Sequence, residues 1–142
     1  MYQVELLNIS IERANAEALQ LLEDILAPSQ LQNYDGIFSV ALSELFSSIQ
    51  NRTQKVDIEY LIDNHTVKFN FHFSESENIL DNLTEESSFI LSKLVDDFSY
   101  NSENNTVTFL FHVKRQPLTP RMLQDLNRVN IETLINANDY EM

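Results

Sequence analysis

The sequence predicts an α+β fold: a two-layer α/β sandwich with a mixed, mostly antiparallel sheet, helices on one face and an added C-terminal helix. Three observations predict it. Segments 55–63, 66–74 and 106–114 alternate apolar and polar residues with period two, the pattern of half-buried strands. Stretches within 14–26, 38–49 and 89–98 repeat apolar residues at helical spacing. The strands gather their aromatic and β-branched residues on one face, so helices cover that face and water meets the other.

The elements follow in chain order. "YQVELLNISI" has strand-forming residues and precedes a helical pattern, so it reads as the first strand. In "ERANAEALQLLEDILA" the residues Ala14, Ala18, Leu21, Leu22, Ile25 and Leu26 form a helical stripe, which Pro28 is expected to stop. Asp35-Gly36 reads as a turn. "IFSVALSELFSSIQNR" is a second helix that buries Phe38, Ala41, Leu42, Leu45 and Ile49. "KVDIEYLID" and "TVKFNFHFS" point Val56, Ile58, Tyr60, Ile62 and Val67, Phe69, Phe71, Phe73 inward, joined at Asn64-His65 as a β-hairpin. Asp57, Glu59, Lys68, Asn70, His72, Thr108 and His112 fall on the water-facing side. Segment 74–87 is polar and acidic and reads as a loop or short helix. "SFILSKLVDDF" is a third helix, with Phe89, Ile90, Leu94 and Phe98 as its stripe. "NSENN" is a turn, and "TVTFLFHVK" is the last strand. Thr119-Pro120 starts the C-terminal helix, with threonine as cap and proline at the first helical position.

The 142 residues fit one domain, 1–116, and a helical extension, 117–142. The net charge of -13 repels nucleic acid and anionic membranes, so neither is an expected partner. A protein partner is expected instead, and the charge favours a basic one. With no cysteine, disulfides and thiolate chemistry are excluded. The opening "MYQVELLNIS" has no cationic stretch leading a long apolar run, and no membrane-length apolar window follows. The cytoplasm is the expected compartment. Gly36 is the one glycine, and phosphate-wrapping loops need glycine for close backbone approach.

The element order, with "VALSELFSSIQN" and "SFILSKLVDDFSYNSENNTVTFLFHV", resembles the histidine-kinase-type ATPase fold. The likeness is to its bacterial anti-sigma-factor serine kinases. It covers residues 1–114, and Asp96-Asp97-Phe98, Tyr100-Asn101 and the strand from Thr106 to Phe109 carry it best. The resemblance implies a glutamate and, four residues on, an asparagine that hold magnesium and position water. Glu44 matches the first; Ser48 replaces the second, and a hydroxyl is a poorer ligand for a hard cation.

The family's Asp-x-Gly-x-Gly, whose aspartate reads the adenine amino group, falls on Phe73, Glu75 and Glu77. A phenyl ring cannot accept that hydrogen bond. The Gly-x-Gly that offers bare amides to phosphates falls on Glu85 and Ser87. At an effective dielectric of ~20, each carboxylate about 4 Å from a phosphate costs roughly 4 kcal/mol before screening. Glu44 and Ser48 therefore read as a catalytic remnant, and no cofactor or metal is expected.

Sharper readings stand beside ordinary ones. Glu44, Ser48 and Asn51 could line a polar pocket; the ordinary reading is a solvated helix face. His72 and His112 could face each other as a metal pair; the ordinary reading is two exposed histidines on the polar face. Asp96-Asp97 could be a carboxylate dyad, but adjacent helical residues point about 100° apart, so a structural role is expected. The acidic stretch could bind a partner or be a solvated loop. The C-terminal helix could pack on its own domain, dock on a neighbour or make a homodimer.

The expected function is a non-catalytic protein–protein interaction module in a bacterial regulatory pathway. Helix 2, the acidic loop and the C-terminal helix would be its surface. The alternatives are a divergent ATP-dependent serine kinase using Glu44, with ATP and magnesium, and a structural subunit of a larger assembly.

Overall fold

A computed structural model describes residues 2–75, 82–114 and 116–128. The strands are β1 (Tyr2–Ser10), β2 (Lys55–Ile62), β3 (Thr66–Phe73), β4 (Asp97–Asn101) and β5 (Thr106–His112). The helices are α1 (Ile11–Ser29), α2 (Asp35–Ser47), α3 (Glu85–Leu94) and α4, helical over 120–128. The sheet order is β1-β2-β3-β5-β4, and every pairing is antiparallel. The expected α+β sandwich is therefore present, with a wholly antiparallel sheet.

The alternation places the core. Val56, Ile58, Tyr60, Ile62, Val67, Phe69, Phe71, Phe73, Val107, Phe109 and Phe111 are all buried beneath the helices. Phe38 of α2 meets Phe69 and Phe111 edge-on, with ring centroids 5.4 and 4.8 Å away, a favourable aromatic geometry. Phe46 meets Phe71 in the same way at 5.5 Å. Tyr60 donates its hydroxyl to the Ala18 carbonyl at 2.8 Å and so ties α1 to the sheet. All six apolar residues of the predicted first-helix stripe are buried, as are the five of the second.

The opposite face is polar and satisfies itself. Gln3 Nε2 donates to Glu59 at 2.6 Å, Asn70 Nδ2 donates to Glu59 at 2.8 Å, and Thr108 Oγ1 donates to Asn70 at 2.8 Å. This row joins four strands side by side, which is how cross-strand pairs add to a ladder.

Local departures have local causes. Pro28 sits inside α1, which ends one residue later; Gln30 adopts the left-handed conformation and its N–H bonds Ala27 O. Asp35 and Gly36 open α2 instead of forming a turn, after a short 3-10 stretch at Gln32–Tyr34. The α2 helix stops at Ser47, short of the expected Arg52, and the Arg52 guanidinium caps the Phe46 carbonyl. The hairpin turn is where the sequence puts it, with Asp63 N–H bonded to Thr66 O at 2.9 Å.

The largest departure is β4. The sequence suggests helix through Phe98, but α3 ends at Leu94, Val95 is extended (φ -100°, ψ 130°), and "DFSYN" pairs with β5. Leu91, not Phe89, is the buried residue of α3, and Phe89 is 63% exposed.

The C-terminal helix begins as predicted: Thr119 Oγ1 accepts from Met122 N–H at 3.2 Å. Leu126 is fully buried in the core, Leu118 and Leu123 pack on it, and the Tyr2 hydroxyl donates to Leu126 O. Through residue 128, then, this element packs on its own domain.

Candidate functional site

Burial of Leu42, Leu45, Phe46 and Ile49 orients α2, which leaves Glu44 half-buried on the side toward α3. The start of α3 is set by Thr84. Its extended backbone and side chain make it the N-cap, and Thr84 Oγ1 accepts from Ser87 N–H at 3.0 Å. Glu85 and Glu86 occupy the first turn, where the helix dipole favours negative charge. Packing of α3 on α2 then brings Ser87 to Glu44. Ser87 Oγ donates to the Glu44 carboxylate at 2.6 Å, across 43 residues of sequence.

Two further side-chain contacts start just past the end of α2. Asn51 Nδ2 donates to the Glu75 carboxylate at 2.6 Å, and Gln50 Nε2 donates to Asn82 Oδ1 at 3.1 Å. Glu75 N–H bonds the side-chain oxygen of buried Gln54 at 3.3 Å. The end of α2 and the segment after it are thus joined to both flanks of the acidic stretch. The site pairs carboxylates with hydroxyl and amide donors, and each contact is a charge-assisted or neutral hydrogen bond between the chain's own groups.

The sequence-predicted residues fare differently. Glu44, Ser87, Asn51 and Glu75 come together in two pairs. Ser48 does not join them: it is the C-cap of α2, and its hydroxyl donates to Leu45 O at 2.6 Å. Phe73 is buried in the core, and Glu85 is exposed at the head of α3. Glu77 lies outside the described residues. Gln50, Gln54, Asn82 and Thr84 were not singled out by sequence. Thr84 could have been, since threonine followed by two glutamates before an apolar run marks a helix start.

Two other constellations dissolve. His72 faces Thr106 across β3 and β5, while His112 faces Thr66 at the far end of the same ladder. The two histidines are therefore no pair, and the His72 ring bonds Thr106 Oγ1 at 2.6 Å instead. Asp96 lies between α3 and β4, not within a helix as the helical-spacing argument assumed. Its carboxylate accepts from His112 N–H at 2.6 Å, which fixes the start of the β4–β5 pairing. Among the described residues, no cluster of three or more His, Asp or Glu is placed to hold a metal. No described helix is long and apolar enough to cross a membrane.

No family model matches the chain, and no curated protein matches it in sequence.

Proposed function

We propose that the chain is a non-catalytic regulatory module that acts through protein–protein contact, on a degenerate histidine-kinase-type ATPase scaffold. One observation carries the reading. Glu44, the position that the resemblance makes the magnesium-holding acid, is bonded to Ser87, the position that should offer a bare amide to phosphate. The Ser87 amide is itself taken by the Thr84 cap. An anion arriving there would have to displace a cap and meet the carboxylates of Glu44, Glu85 and Glu86.

Ser48 adds support, because its hydroxyl is directed to its own helix. Phe73 adds more, because a buried ring stands where the adenine-reading carboxylate would be.

Thermal melts with and without millimolar ATP and Mg²⁺ test this reading. A ligand at about 100 times its Kd would add roughly 2.7 kcal/mol to stability. The expected result is an unchanged melt. An upward shift that Glu44→Ala abolishes would instead establish a nucleotide site and the serine-kinase alternative.

A further inference from the structure

We infer that the groove between α3 and β4 docks a protein segment with an apolar anchor flanked by lysine or arginine. The inference rests on the interaction-module reading and adds to it a surface and a partner chemistry. The groove is a cavity of about 240 Å³ lined by Leu83, Ser88, Leu91, Ser92 and Phe98. Small-molecule sites occupy about 300–1,000 Å³. This one suits a side chain or two rather than a whole cofactor.

Its lining is that of an anchor pocket. Leu91 belongs to the core, and Leu83 and Phe98 pack against it, so the floor is apolar. The exposed hydroxyl of Ser92 donates back to Phe89 O at 2.7 Å, so an apolar guest strands no strong donor there. Phe89 neighbours Ser92 around the helix and is 63% exposed. A lone exposed aromatic is ordinary; one beside an apolar cavity extends the surface a partner's anchor would bury.

Charge selects the partner. From 82 to 106 the chain carries Glu85, Glu86, Asp96, Asp97 and Glu103 against Lys93 alone. Lys93 is engaged over the Phe89 ring, 5.3 Å from its centroid. Glu85 lies one turn before Ser88 and so borders the groove. The whole molecule, these residues included, carries a net charge of -13. This field draws in cationic flanks and repels acidic ones.

The test is fluorescence anisotropy with a labelled Lys-Lys-Leu-Phe-Lys-Lys peptide. Binding is expected, and it should weaken as salt is added. Ser92→Trp places an indole in the cavity from an exposed position and should weaken binding by about tenfold or more, as should Ser-Ser in place of Leu-Phe. Circular dichroism confirms the fold of the variant; if it fails to fold, Ser88→Arg probes the same groove.

Absent binding, binding unaffected by the folded variant, or equal binding of a Glu-flanked peptide would each overturn the inference. So would a dimer, seen by sedimentation, that Ser92→Trp dissociates, since the groove would then belong to a second copy. Peptide binding together with stabilisation by ATP would overturn the non-catalytic reading alone. No peptide binding with an unchanged ATP melt would overturn the groove alone.

Discussion

At the scale of single residues, Glu44 and Ser87 show how two polar groups far apart in sequence satisfy each other. The sequence exposes Glu44 as a carboxylate on the polar side of a helix, but nothing near it in the chain announces its partner. Their bond is short, half-buried and charge-assisted. A typical hydrogen bond of this kind contributes about 0.5–1.5 kcal/mol net, with charged partners toward or above the upper end. A double-mutant cycle of Glu44→Ala and Ser87→Ala, followed by urea unfolding, should therefore give a coupling near 1 kcal/mol. Strictly additive single mutants would remove this contact from the account of the site. Ser48→Asn is informative by contrast, because the Ser48 hydroxyl only closes its own helix.

At the scale of elements, packing decided which residues of a pattern were used. Phe89, Ile90, Leu94 and Phe98 look like one helical stripe, yet the chain turns at Val95 and spends Phe98 on a strand. Phe98 and Tyr100 alternate with polar neighbours, so "DFSYN" carries a period-two signal that is too short to beat the helical pattern before it. The C-terminal helix behaves the opposite way: its cap is legible, and only its docking place is not. Leu126→Ala should cost about 2–5 kcal/mol because it empties a filled site under the helix. Gln124→Ala, on the exposed side, should stay within about 0.5 kcal/mol. Urea midpoints measure both, and near-zero values for both would mean that α4 does not contribute to the core.

At the scale of the whole molecule, the aromatic core ties the layers into one unit. Tyr60 stands at its centre, fully buried, with its ring 4.8 Å from that of Phe69 and its hydroxyl on α1. Burial raises its pKa far above the ordinary tyrosine value of about 10. Above that pH the unfolded chain releases this proton while the folded chain keeps it, so the unfolded state binds fewer protons. Stability therefore falls as pH rises past the unfolded value. Denaturation between about pH 9 and pH 11 should show this loss, with a shallower slope in Tyr60→Phe. At neutral pH the same variant should lose about 1 kcal/mol, because the Ala18 carbonyl loses its donor. Equal slopes in both proteins would mean that Tyr60 is not the group responsible.

Local order determined a great deal by itself. The phases of α1, α2, β2, β3 and β5, the Asn64-His65 turn, the Thr119 cap and the polar outer face of the sheet were all legible in neighbouring residues. Such features depend on contacts a few positions apart, where periodicity and backbone preference act directly. Strand order, the edge strand β4, the separation of His72 from His112 and the meeting of Glu44 with Ser87 were decided only by the tertiary structure. Each depends on which distant segments pair and in what register, and a one-residue slip reverses the face of every side chain in a strand. That is why the sequence could name Glu44 and Ser87 separately, while only the packing of α3 on α2 joined them.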